Sequence, residues 1–112
     1  MTPDFLNTYS TLVANDTGLV VKASKAILCG VLLTNKNAAI QFVKLYNKAT
    51  APSASDTPLL RIGVPTGQTV TLPIPGGAVF SDGLSIRSVT TLPDAGATGT
   101  PAGDVAASLF YQ

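Results

Sequence analysis

Residues 42–80 read FVKLYNKATAPSASDTPLLRIGVPTGQTVTLPIPGGAVF, and this stretch decides the fold class. Apolar residues alternate with polar ones between loop and turn signals, the pattern of short β-strands joined by turns. Residues 48–57 form a Pro/Ser loop by composition, and Pro65 and Gly67 are placed for a type II turn. Residues 75–77, Pro-Gly-Gly, are expected to end the strand before them. No acid, base or nucleophile in the stretch is arranged for chemistry.

The rest of the chain continues this pattern in both directions. Turn signals at regular spacing separate seven or eight strands, with no helix of note, which predicts an antiparallel β-sandwich; a jelly roll is the topology we favour. One strand, residues 26–34, is nearly apolar on both faces, as a central buried strand would be. The predicted strands are 19–24, 26–34, 40–47, 58–64, 69–74, 78–80, 83–91 and 104–111.

Residues 1–18 differ from this domain, which we place at residues 19–112. They combine apolar side chains at helical spacing with many poor helix formers, so we expect an extended or short helical arm. An apolar arm needs a surface to lie on, either its own sheet or that of a neighbour. The arm residues we expect to dock on a partner are Phe5, Leu6, Tyr9 and Leu12.

Length and composition predict a single domain that is partly covered by neighbours. The chain has 112 residues, of which 46% are hydrophobic and only 12% charged. Soluble domains carry about 25% charged residues, and a surface with few charges favours association.

Several function classes find no support in the residues. The net charge is +1 without a dense Lys/Arg stripe, and Trp is absent, so we expect no nucleic-acid partner. We expect no signal peptide, because residues 1–10 have no basic region followed by an apolar core, and no run approaches the roughly 20 apolar residues of a membrane helix. The lone cysteine, Cys29, lies among apolar neighbours and is expected to pack as a small hydrophobic residue.

The chemistry of catalysis and metal binding is also missing. The sequence has no His and no Glu, and each of its Asp residues lies in or beside a turn signal, where Asp bonds its own backbone. Asp82 and Asp94 with loop carbonyls make a poor calcium site, because hard cations need several converging oxygens. We therefore expect no enzymatic activity, no cofactor and no metal.

One strand face within the opening stretch could bind a ligand. Phe42, Lys44 and Tyr46 alternate with Val43 and Leu45, which we assign to the core. The aromatic face is either a patch for a sugar or protein partner, or a sheet face covered by a loop or by the arm. A carbohydrate module would show more aromatics, often Trp.

The order of these pieces resembles a family of small uncharacterised proteins of tailed bacteriophages. The shared segments are FVKLYNKATAP at 42–52, DTP at 56–58, GAVFSDGL at 77–84 and GDVAASLFY at 103–111. The resemblance spans about residues 22–112 and leaves the arm unmatched. Its motifs are structural, and the family offers no functional residues to transfer.

The resemblance implies a non-enzymatic virion structural protein, made in the host cytoplasm and located in the virion. The leading hypothesis is a capsid decoration (cement) protein that docks on and bridges major capsid subunits. The alternatives are a tail, neck or fibre component, or a host-surface carbohydrate-binding module. We expect a homo-oligomer, with a trimer suspected. Candidates for its oligomer face, with core packing as the alternative, are Phe42, Tyr46, Phe110 and Tyr111.

Overall fold

The computed structural model describes residues 7–11, 18–96, 98–101 and 103–112. None of these residues is helical, and eight strands account for the regular structure. The strands are β1 (Asn7–Thr11), β2 (Leu19–Lys22), β3 (Ala26–Asn35), β4 (Gln41–Asn47), β5 (Leu60–Val64), β6 (Thr69–Phe80), β7 (Leu84–Val89) and β8 (Val105–Tyr111).

The strands form two antiparallel four-stranded sheets with jelly-roll topology. β1 pairs with β8, β2 with β7, β3 with β6 and β4 with β5, so the first half of the chain folds back on the second as one long ribbon. Successive segments of this ribbon enter opposite sheets, giving the orders β1-β8-β3-β6 and β2-β7-β4-β5. This arrangement is a jelly roll, and it confirms the predicted sandwich and its favoured topology.

The core lies between the two sheets and is filled by alternate residues of their strands. Val43 and Leu45 are completely buried in it, as predicted. Their cross-strand partners, Ile62 and Leu60, lie on the same face of the sheet and pack against the core as well. The buried hydrophobic cluster consists of Ala26, Leu28, Val31, Leu33, Val43, Leu45, Val64, Phe80, Leu84, Ile86, Val105, Ala107 and Leu109.

The N-terminal segment lies on its own sheet over its described part. Residues 7–11 are β1, the edge strand next to β8, with Tyr9 opposite Leu109, so the helical alternative does not hold for these residues. Tyr9 packs against the core, half-buried.

The expectation that residues 75–77 end a strand was wrong. β6 continues through them to Phe80, and β3 pairs with it on both sides of an irregularity between Leu28 and Gly30. Gly76 and Gly77 have φ values of 81° and 79°, a conformation open to glycine, so the strand bulges there without ending. Since β6 is an edge strand, it also tolerates its prolines.

The turn predicted at residues 65–68 is confirmed by its backbone geometry, whereas residues 15–17 of the turn predicted before β2 lie outside the described residues. Gly67 has a φ of 70°, and the N–H of Gln68 donates to the carbonyl of Pro65 over 3.2 Å, as in a type II turn.

No helix in the described residues is long and apolar enough to cross a membrane.

Candidate functional site

A row of three cations crosses the outer face of the second sheet. Lys44 on β4 lies directly opposite Arg61 on β5 and Arg87 on β7. Lys44 is completely buried and Arg87 is only 2% exposed, whereas Arg61 is exposed. We call these three residues the cation row. Like charges directly opposite each other on neighbouring strands repel, so such a row needs compensation from another part of the chain.

The compensation comes from residues 90–100, which fold back over the cation row and which we call the cap loop; Ala97 lies outside the described residues. Asp94 accepts two hydrogen bonds from Arg61, with Nε to Oδ1 at 2.6 Å and Nη2 to Oδ2 at 2.9 Å. Lys44 Nζ donates to the carbonyl of Pro93, and Arg87 Nη2 donates to the carbonyl of Gly96 over 3.0 Å. The turn at residues 93–96 therefore accepts hydrogen bonds from all three cations.

The pKa values of the cluster reflect this geometry. Burial lowers the pKa of Lys44 from its usual 10.5, and the positive charge of Arg87 lowers it further. The hydrogen bonds from Arg61 lower the pKa of Asp94 below its usual 3.8, and the same bonds raise the pKa of Arg61. The Asp94 carboxylate and the Arg61 guanidinium therefore remain charged at neutral pH.

The far end of the cap loop is fixed by backbone pairing and a buried hydroxyl network. Gly99 forms a β-bridge with Val89, and the N–H of Thr100 donates to the carbonyl of Ser88. Thr100 Oγ1 donates to Gln41 Oε1 over 2.7 Å and lies 2.7 Å from Ser88 Oγ. Because the single hydroxyl proton of Thr100 goes to Gln41, Ser88 is the donor to Thr100.

The cap loop decides between the two interpretations of the aromatic face. Tyr46 is 1% exposed, its hydroxyl accepts a hydrogen bond of 2.9 Å from Arg87 Nη1, and Arg87 lies 6.0 Å from its ring centre. Phe42 remains half-buried. No pocket is present in the part of the chain that the structure describes. The face of Tyr46 is thus a sheet face covered by the protein's own loop, the second of the two possibilities.

The first sheet presents a different outer face, which we call the uncharged face. Its residues follow from register, since cross-strand partners point to the same side. Leu32 lies between Ser108 of β8 and Thr71 of β6, and Gly30 lies between Phe110 and Pro73. The outward residues are Thr8 and Ser10 of β1, Ala106, Ser108 and Phe110 of β8, Ile27, Gly30, Leu32 and Thr34 of β3, and Thr69, Thr71, Pro73 and Val79 of β6.

None of the described residues that point outward from this sheet is charged. Leu32 is 37% exposed although β3 is an inner strand of its sheet, and Val79 on the edge strand β6 is 55% exposed. The expectation that β3 is buried on both faces was therefore wrong for its outer face. Most side chains of this face are exposed: Thr8, Ser10, Leu32, Thr34, Thr69, Thr71, Pro73 and Val79.

The structure does not bring the four predicted oligomer-face residues together. Phe42 and Tyr46 belong to the outer side of the second sheet, and Phe110 belongs to the uncharged face of the first. Tyr111 packs against the core. Of the predicted arm residues, Phe5, Leu6 and Leu12 lie outside the described residues.

Sequence reasoning missed Leu32, Val79 and the pairing of Arg61 with Asp94. For Leu32, the available sequence signal was the apolar character of β3 on both faces. An inner strand of a two-layer sandwich needs only one apolar face, so a second one indicates exposed apolar side chains. The partner of Arg61 lies 33 residues away, and no local pattern could indicate it.

Asp94 is bonded to Arg61, and no cluster of three or more metal-binding side chains occurs among the described residues. The sequence matches no protein-family model and no curated protein.

Proposed function

We propose that this protein is a non-enzymatic structural component of a virion, a capsid decoration protein that docks on and bridges major capsid subunits. The observation that carries this proposal is the contrast between the two outer sheet faces. The charged face is closed by the protein's own cap loop, whereas the uncharged face is left open by every described segment. A sheet face with exposed Leu32 and Val79 gains free energy when another subunit of an assembly, including a second copy of this chain, covers it.

Two further considerations support a role in assembly. The jelly roll is a fold that viral capsid domains use, although lectins use it as well, so this support is an analogy at the level of fold. The resemblance to small phage proteins, which runs through the loop after β4 and through β8, points in the same direction.

The first test is cosedimentation of the purified full-length protein with virions assembled without it. Saturable binding to heads supports a decoration protein. Binding to isolated tails would move the proposal to a tail or neck component. Binding to host cells without binding to virions would favour a host-surface module.

Point substitutions test the arm better than truncation does. A chain that starts at Asp16 also lacks β1, whose pairing with β8 completes the first sheet. The double substitution Phe5→Ala and Leu6→Ala leaves residues 7–11 intact. We expect it to weaken virion binding, while the control Leu92→Ala, at an exposed cap-loop position, should bind as the wild type does.

A further inference from the structure

We propose that the uncharged face is covered by a second copy of this chain, so that the two first sheets pack face to face about a two-fold axis. This inference rests on the proposed function only in so far as an assembly protein needs a partner for this face. Self-association is measured without virions, so each of the two ideas can fail alone.

Charge is the first reason to choose a second copy. A two-fold interface brings the same patch of both copies together, so any charge on it would need an opposite charge elsewhere on that same patch. The described outward residues of the first sheet are free of charge, whereas the second sheet carries Lys44, Arg61 and Arg87. A face without charges suits a copy of itself, while an acidic or basic partner would gain nothing from it.

The polar groups on this face are also self-complementary. They are Ser and Thr hydroxyls, each of which can donate and accept a hydrogen bond, so a hydroxyl can bond to its own equivalent. Thr34 already pairs with Thr69 across the strands at 3.0 Å, and Ser108 pairs with Ser10 at 3.4 Å. Each of these pairs leaves lone pairs for a facing copy.

The apolar residues form a strip along β3 between these hydroxyl rows. Phe110 lies close to Gly30, where an added Cβ would be 3.7 Å from its ring, and Ile27 pairs with Val79. Together with Leu32, they give the apolar centre and polar margin that stable interfaces have.

The area of the face meets the lower limit for a specific dimer. Four strands at about 4.8 Å spacing and about eight residues at 3.3 Å each give roughly 500 Å² per copy. Two copies bury roughly 1,000 Å², about the smallest area of a specific interface.

This geometry predicts a dimer and not the suspected trimer. One facing copy covers the whole face, whereas a closed trimer needs two different complementary surfaces on each subunit. A dimer also carries two N-terminal arms. It could bind two capsid subunits at once, and the second contact would be strengthened by effective concentration.

The test is sedimentation equilibrium of the full-length protein over a range of concentrations. The wild type, of 11.4 kDa, should approach twice that mass at the highest concentrations. Leu32→Lys places a charge in the apolar centre of the face, where no described carboxylate can pair with it, and should keep the protein monomeric. Leu59→Lys is the matched control, because Leu59 is 49% exposed and lies outside this face, and it should dimerise like the wild type.

Thr71→Lys provides a second test on an exposed edge-strand position opposite Leu32, should Leu32→Lys fail to fold. A wild type that stays monomeric at all concentrations, or that forms a trimer, overturns the inference. Dimers of both face variants equal to the wild type would overturn it as well. A wild-type dimer that binds no virion would leave the inference standing and remove the proposed function.

Discussion

Lys44 and Arg87 lie directly opposite each other on β4 and β7, two buried cations whose side chains both donate to carbonyls of the cap loop. Pairs of like charges at such positions are unfavourable in a sheet. Here the hydrogen bonds of Lys44 and Arg87 hold the turn at residues 93–96 in place. The pair therefore positions the cap loop, although the repulsion between the two cations lowers local stability.

Replacing Lys44 with Met should therefore stabilise the protein at neutral pH. Met has a similar length and removes a desolvated charge, so we expect the free energy of unfolding to rise by about 1 kcal/mol. The pKa of Lys44 is lowered in the folded state, so the unfolded chain binds the proton more tightly. Wild-type stability should then increase as the pH rises from the folded pKa towards 10.5, and the advantage of Lys44→Met should shrink.

Urea denaturation of both proteins between about pH 7 and pH 10 measures this difference. Lys25→Met, at an exposed position between β2 and β3, is the control for replacing a lysine with Met at the surface. A constant difference between wild type and Lys44→Met across this range would contradict the expectation.

Replacing Asp94 with Asn should loosen the cap loop without affecting the core. The variant loses the charge-assisted pair with Arg61. Amide hydrogen exchange should accelerate at Gly96 and Thr90, whose N–H groups bond within the loop, and stay slow at Leu45. Asp82→Asn removes the same charge from another turn and should leave the exchange of Gly96 unchanged.

The same loosening should occur in the wild type in acid. The pKa of Asp94 is lowered in the folded state, so its contribution is present above the unfolded value of 3.8 and is lost as the pH falls through the folded pKa. Protection factors of Gly96 measured from neutral pH down through this range test the expectation. Equal protection of Gly96 throughout would rule out a role for Asp94 in holding the loop.

Replacing Thr100 with Val should destabilise the protein more than replacing Ser88 with Ala. Val fills the space of Thr but leaves the buried Gln41 Oε1 without its donor, at a cost of about 2 kcal/mol. Ser88→Ala removes a donor to an oxygen that still bonds to Gln41, and should cost about 1 kcal/mol. Chemical denaturation of both variants gives the comparison, and the reverse order would disprove the inferred direction of the network.

Replacing Gly96 with Ala should displace the turn over the cation row. An added Cβ would overlap Thr91 Oγ1 and lie 3.1 Å from the carbonyl of Pro93, so we expect a loss of about 1–2 kcal/mol. Gly30→Ala is the control, because a Cβ there meets its nearest atoms at 3.6 and 3.7 Å, and it should be neutral. Thermal unfolding compares the two, and equal losses would argue against a steric requirement at Gly96.

The sequence by itself determined the fold class and much of the core. Alternation in β4 assigned Val43 and Leu45 to the interior, since side-chain direction in a strand has a period of two. The turn-forming residues predicted most strand ends to within a few residues of the ends that the structure shows. It failed at residues 75–77, because glycines with positive φ produce a bulge as readily as an end, and only the pairing of β6 with β3 distinguishes the two.

The tertiary structure alone decided which faces are covered. β3 is apolar on both sides in sequence, but covering its outer side would require a further layer, and no described segment supplies one. The burial of Lys44 and Arg87 depends on a loop that follows β7 and returns over β4 and β5, joining Arg61 to a residue 33 positions away. Local sequence specifies the direction of a side chain along a strand, whereas long-range contacts specify what it meets there.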